Sequence, residues 1–491
     1  MSQSAFIGGE IPVGIPPDKI NFPLRCICPA FILTRICPVY EFRQKKGKEM
    51  NIALSDHFTY KRLLRFTLPS IAMMIFTSIY GVVDGFFVSN FVGKIPFAAV
   101  NFIMPFLMIL GAFGFMFGTG GSALVAKIIG EGDPHRARRV FSLITYVSVG
   151  LGTVVAILGI AFIEPVAALL GAEGEMLENC VIYGRIILAA LPFFMLQQQF
   201  QSFFVAAEKP GLGLATTVAA GVANMVLDAL FIAVFRWEVV GAAAATAISQ
   251  LIGGLIPLIY FSSKNSSLLR LGRADFDLKA LCRVCINGSS ELMSNISMSL
   301  VGMLYNFQLM KYAEEDGVAA YGTLMYVGFI FVAAFIGYSI GTAPVISYNY
   351  GAANHEELKS VLKKSLVIIS VFSLSMFILG EVLAFPLSFI FTGYDEGLLA
   401  LTLRGFLFYS FSFLFCGFSI YGSGFFTALN NGVISAVISF LRTLVLQVAA
   451  ILIMPLILGT DGIWLSVVVS ELLAAVVCFI FLIANRRKYN Y

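Results

Sequence analysis

Between residues 66 and 484 the chain is a succession of apolar runs, each long enough to cross a bilayer. They fall at about 66–91, 100–126, 140–163, 179–206, 212–235, 240–261, 287–310, 318–346, 364–391, 399–427, 432–458 and 462–484. A transmembrane helix needs roughly 20 apolar residues, and all twelve runs meet that requirement. The predicted fold is therefore an all-α polytopic membrane protein of twelve transmembrane helices. Composition agrees: 12% of the residues are charged, where soluble domains carry about 25%. The loops are short, which leaves no room for an inserted soluble domain.

The two halves repeat at an offset of 221 residues, the distance from Gly120 to Gly341. The same shift pairs Gly130 with Gly351, Val140 with Val361, Pro165 with Pro386, Gly241 with Gly462 and Ser249 with Ser470. Each half has six spans, an even number, so both halves enter the membrane from the same side. Two six-helix bundles related by a parallel repeat follow, with an axis along the membrane normal. The expected domains are an N-terminal lobe over 58–261, a linker over 262–286, a C-terminal lobe over 287–485 and a tail over 486–491. The linker carries an amphipathic stretch, DFDLKALCRV. Residues 1–57 hold many prolines and no spanning run, and are expected to be a disordered or non-native extension, with Met50 as a candidate start.

Lys and Arg placement sets orientation. Lys61, Arg62 and Arg65 precede the first span, and Arg486, Arg487 and Lys488 follow the last. Most other basic residues lie in the loops after even-numbered spans; the opposite loops hold only Lys94, Arg236 and Lys311. Both termini are expected on the cytoplasmic side of a prokaryotic plasma membrane.

Within this apolar frame Asp84 stands out, deep in the first span. A carboxylate at such depth costs roughly 2.5–3.5 kcal/mol and marks an ion or substrate path by default. Thr77, Tyr80 and Asp84 share one helical face, and Pro69 permits a bend. The fifth span offers Asn224 and Asp228, four apart and on one face. Depth matches too: Asp84 follows Arg65 by as many residues as Asp228 follows Lys209. Thr246 descends to the same level in the sixth span. Two carboxylates, an amide and a hydroxyl suit a proton, because close carboxylates resist joint ionisation. Their oxygens suit Na⁺ equally. At the 221 shift these four meet Tyr305, Val445, Ala449 and Val467, so the second half lacks the site.

The second half has its own charges at depth: Glu291, Arg404, Arg442 and Glu471. Glu291 either receives a cationic substrate or pairs with a basic residue at the helix mouth. Gln197, Gln198, Gln199 and Gln201 line a wet surface or form a solvated helix end. Cys282 and Cys285 form a CxxC with no second Cys pair nearby, which argues against a structural metal. His57, His135 and His355 all fall outside the spans, so an intramembrane enzyme with a catalytic dyad is not expected.

PSI…VDGFFVSNFVG in the first span, GTGGSALVAKIIGEGD ending the second, NMVLDALFI in the fifth and GAAAAT opening the sixth resemble the MATE family of multidrug and toxic compound extrusion transporters. The resemblance covers about 55–485. It implies a non-enzymatic antiporter with no cofactor, exporting drug-like organic cations in exchange for H⁺ or Na⁺. It further implies a cation site at Asp84, Asn224, Asp228 and Thr246, with Pro69 as the conformational hinge. Tyr80, Glu291 and Tyr305 are the candidate substrate contacts. Some family members carry an acid in the tenth span; here that span has Arg404 but no Asp or Glu. The alternative is a flippase of the same superfamily for a lipid-linked anionic precursor. That function wants a basic cavity, and the spans expected to line the cleft supply no buried Arg or Lys. A monomer in contact with lipid, with no nucleic-acid partner, is expected.

Overall fold

The computed structural model describes residues 52–393 and 395–491. The described chain is a helical membrane protein with no β-strand. Helices α1 (Tyr60–Phe91), α2 (Lys94–Gly130), α3 (Pro134–Leu170), α4 (Gly174–Ala206) and α6 (Glu238–Ser262) belong to the first half. Between α4 and α6, α5 (Pro210–Asp228) runs on as a π-helical turn, Ala229–Val234. Helices α7 and α8 share the stretch Leu278–Gly351, broken by non-helical backbone at Ala313 and Glu314. They are followed by α9 (His355–Thr392), and by α10 as two pieces, Glu396–Ser410 and Phe413–Ala428, bent by 51°. Helix α11 runs as Gly432–Phe440, a π turn Leu441–Leu446, and Gln447–Leu458; α12 is Thr460–Tyr489.

By length and apolarity, 10 of these helices qualify as membrane spans, or 11 if the bent pair counts as one. The expected count of twelve is not reproduced because α7 falls short. It is helical, but Asn287, Ser289, Ser290, Glu291, Ser294 and Asn295 dilute its first half.

Capping residues fix the helix starts. Thr59 begins α1, Asp133 begins α3 ahead of Pro134, and Asn354 begins α9, each accepting a bond from the amide three residues on. Such a cap contributes about 1 kcal/mol. The turns before α3 and α9 superimpose at the 221 offset: Gly132 and Ala353 both have positive φ, at 87° and 53°. From α4 onward helix starts differ by 222, as between Gly174 and Glu396, because α9 has 38 residues and α3 has 37. The repeat is real, but its register slips by one residue in the second half of each lobe.

Two apolar clusters form the cores, and they do not divide at the expected boundary. Leu63, Phe66 and Ile71 of α1 pack in the cluster of the second half, whereas Val88 and Val92 join that of the first. Reciprocally, Ala280 and Val284 of α7 pack into the first half and Val301 and Tyr305 into the second. Each lobe thus lends the opening turns of its first helix to its twin. Pro69 lies ten residues into α1, within the part that packs against the second half's core, two residues before Ile71.

Two other expectations shift. Residues Ile52–His57 belong to the fold: Leu54 is fully buried and its N–H donates to Glu208 at 2.7 Å. The remainder of the expected extension, and Cys26, Cys28 and Cys37, lie outside the described residues. Helix α7 begins at Leu278 behind the Asp277 cap, so the linker is shorter than 262–286. It is tied along α3, by Arg139 to Asp275 at 2.6 Å and by the Tyr146 hydroxyl donating to the Gly272 carbonyl at 2.9 Å.

Candidate functional site

Asp84 lies in the half of α1 that packs into the N-lobe. Asn224 and Asp228 of α5 and Thr246 of α6 surround it. Thr246 Oγ1 donates to Asp84 Oδ1 at 3.4 Å. Asp84 and Thr246 are half-buried, while Asn224 and Asp228 are 1% and 0% exposed. The four residues singled out by depth and spacing therefore converge on one place.

Their polar atoms are only partly met. Both carboxyl oxygens of Asp228 and both polar atoms of Asn224 lack hydrogen-bond partners among the described residues. An unmet buried polar group costs about 1–3 kcal/mol, and an isolated buried charge far more. This donor set fits a monovalent cation: it is all oxygen apart from one amide nitrogen, with two carboxyls that hold a proton or accept Na⁺. The π-helical turn starting at Ala229 follows Asp228 directly; such turns gather at functional sites.

The wider surroundings include residues that sequence reasoning missed. Tyr326 of α8 comes across from the other half, its hydroxyl 3.6 Å from where a Cβ on Gly85 would sit. Its only sequence signal is helical phase within α8, which does not reveal what faces it. Gln197, Gln198, Gln199 and Gln201 are all less than a tenth exposed, so they are neither a wet surface nor a solvated helix end. Gln199 Nε2 donates to Thr145 Oγ1 at 3.1 Å.

The candidate substrate contacts separate. Tyr80 sits a turn from Asp84 with its ring against Gly221 of α5, inside the N-lobe. Tyr305 is corrected from cleft to core: it is 2% exposed, stacked on Tyr321 at 4.9 Å, and its hydroxyl shares a 2.7 Å hydrogen bond with Ser466. Glu291 is half-buried, and the charge it meets is Arg442 of α11 rather than a basic residue at the helix mouth. Arg442 is itself held by Glu471 of α12, Nε to both carboxyl oxygens at 3.0 and 2.9 Å. Arg404 is exposed, not buried, and pairs with Asp461 at 2.5 Å.

The lobes are asymmetric in any register. Offsets of 221, 222 or 223 set Asp84 opposite Tyr305, Asn306 or Phe307, and Asp228 opposite Ala449, Ala450 or Ile451. The C-lobe charges do stand on equivalent helices (α7, α11 and α12), and Arg442 lies in that lobe's π turn. Glu291 falls opposite Ser70, at the level of Pro69, whereas Arg442 and Glu471 fall opposite Ala220 and Ser249, between that level and Asp84.

Comparison with known proteins gives consistent matches. The MatE family profile matches twice, at residues 69–230 and 292–453, once per lobe. The multidrug export protein MepA of Staphylococcus aureus (strain MRSA252) is 25% identical over 438 residues, covering 87% of this chain and 94% of that protein. MepA of Staphylococcus haemolyticus (strain JCSC1435) is 29% identical over 313 residues, covering 64% and 69%. A solved structure described as the outward-facing conformation of a multidrug resistance MATE family transporter of the MOP superfamily has a TM-score of 0.85. It is 23% identical, covering 91% of this chain and all of that one.

Proposed function

The chain belongs to the MATE family of membrane transporters, and on that premise we propose that it is a multidrug efflux antiporter exporting organic cations in exchange for H⁺ or Na⁺. The observation carrying this reading is the convergence of Asp84, Asn224, Asp228 and Thr246 in one lobe, with the buried Asp228 carboxyl and Asn224 amide left without a hydrogen-bond partner among the described residues. A cation entering this pocket supplies what the protein withholds. For binding to drive export the pocket must favour one conformation over another, since coupling is a difference in affinity between states. Pro69 is suited to that change. It deprives α1 of an internal hydrogen bond in the part of the helix that packs against the second half's core, ahead of the part that carries Asp84.

With the basic end cytoplasmic, both termini lie inside the plasma membrane of a prokaryote. Cation arriving from outside fills the Asp84/Asp228 pocket and reshapes the N-lobe, while drug occupies a cavity between lobes. Glu291 is kept as the substrate contact, being half-buried beside an Arg442 already neutralised by Glu471. The flippase alternative is disfavoured because Arg442, the arginine that faces Glu291 of α7, is already bound to the Glu471 carboxylate. Dye efflux in inverted membrane vesicles, with a pH gradient or a Na⁺ gradient imposed separately, tests the reading. One gradient drives dye movement; movement indifferent to both gradients overturns antiport.

A further inference from the structure

The polar character of the N-lobe continues past Asp84 toward the basic end. One turn along α1 the Tyr80 hydroxyl meets Gln197 of α4. The Gln197 amide lies against Gly253 of α6, where a Cβ would fall 2.6 Å from its Cδ and 2.8 Å from its Oε1. Gln250 stands about one turn from both Thr246 and Gly253 on α6, and so bridges the cation pocket and Gln197. Gln197 and Gln250 are 5% and 8% exposed, and the Oε1 of each lacks a hydrogen-bond partner among the described residues.

Packing does not account for this. Each unmet amide oxygen costs about 1–3 kcal/mol, and Leu or Met would fill the same volume without that cost. Buried polar groups of this kind are met by bound water or by an ion. Both oxygens lie within two turns of carboxyls that, on the antiport reading, gain and lose a cation in each cycle.

We infer that Gln197, with Tyr80 and Gln250, forms a neutral polar step through which the coupling cation passes between the Asp84/Asp228 pocket and the basic end of the N-lobe. This rests on the antiport reading. A neutral amide suits transit: its oxygen orients water for a proton or coordinates Na⁺, yet it does not trap either as a carboxylate does. Gly253 leaves room for the amide; any side chain there would press on it.

The test uses the full-length transporter in proteoliposomes, comparing wild type with Gln197→Leu, Gln197→Asn and Gly253→Ala. Equilibrium dye binding and gradient-driven dye efflux are both measured. Gln197→Leu is expected to bind dye within about twofold of wild type while its maximal efflux falls roughly tenfold, a loss in turnover rather than affinity. Gln197→Asn recovers part of that rate, and Gly253→Ala slows it by pressing on an unsubstituted Gln197. Gradient-driven efflux by Gln197→Leu within twofold of wild type overturns the inference. So does parallel loss of dye binding and efflux in both Gln197→Leu and Gly253→Ala, which marks a packing role. Absence of gradient-driven efflux in wild type itself instead overturns antiport, and with it this step.

Discussion

Gly130 and Gly351 close the basic end of the molecule from opposite lobes, each pressed against the other's helix. A Cβ on Gly130 would come within 2.1 Å of the Tyr348 carbonyl oxygen, and one on Gly351 within 2.1 Å of the Lys127 carbonyl oxygen. The two glycines are 221 residues apart, and so are Lys127 and Tyr348, so the contact obeys the internal repeat. The clash partners are backbone atoms and cannot rotate away. Gly130→Ala and Gly351→Ala should therefore each disfavour the closed basic end and lower efflux roughly tenfold. Spin labels on the ends of α2 and α8 would read the change as a longer distance; unchanged distances with full efflux would contradict it.

Asp84→Asn and Asp228→Asn each keep the shape of the pocket and remove an ionisable group. Both should abolish gradient-driven efflux while the protein still reaches the membrane. Thr246→Val deletes the hydrogen bond that Thr246 of α6 donates to Asp84, a bond to a carboxyl worth about 1.5–3 kcal/mol when charged. It should weaken cation dependence without eliminating transport. Efflux assays over a range of external cation concentration separate the two outcomes, and full resistance in both Asn variants would discard the coupling site.

How much of this was legible beforehand depends on whether a feature is local. Asp84, Asn224, Asp228 and Thr246 were found because charge is rare in apolar runs and rise per residue converts spacing into depth. The repeat was found because glycines at helix contacts are constrained by backbone approach. The exchange of opening turns between α1 and α7 left no mark, since Leu63 or Val284 is equally apolar facing either core. Tyr305 was misjudged for the same reason: helical phase locates a face of α7 but not what covers it. The one-residue slip after α9 escaped because ungapped matching tolerates neighbouring small residues.

Arg442 and Glu471 form a pair with side chains 18% and 5% exposed, and Ser419 donates a further hydrogen bond to Glu471 at 3.1 Å. Removing one member of such a pair strands the other charge, at a cost of about 3–5 kcal/mol. Glu471→Gln should lower the unfolding temperature of the detergent-purified protein clearly. The double variant Arg442→Leu/Glu471→Leu should recover part of that loss, because neither member of the pair is left stranded while Glu291 loses the charge it faces. Equal destabilisation by the single and double variants would mean that packing, not charge pairing, dominates there.

The segment before α1 straps the two lobes together at the basic end, and its hold should vary with pH. Leu54 N–H donates to Glu208 in the first lobe at 2.7 Å; Phe58 N–H donates to Glu357 in the second at 2.8 Å, and His57 meets that same carboxyl at 2.5 Å. Burial pushes the Glu208 carboxyl above its ordinary value of 4.5, outweighing the Leu54 amide and Lys209, which pull the other way, while Asp56 adds to the rise. A group whose folded value is raised favours the folded strap fully below its unfolded value, and that contribution is lost as pH climbs through the folded value. Protection of residues 52–58 against hydrogen exchange should accordingly fall as pH rises from about 4.5. Glu208→Gln keeps the acceptor and removes the titration, so the difference between wild type and variant isolates this carboxyl from His57 and Glu357. A variant whose protection follows the wild-type curve across that range would show that Glu208 does not govern the strap.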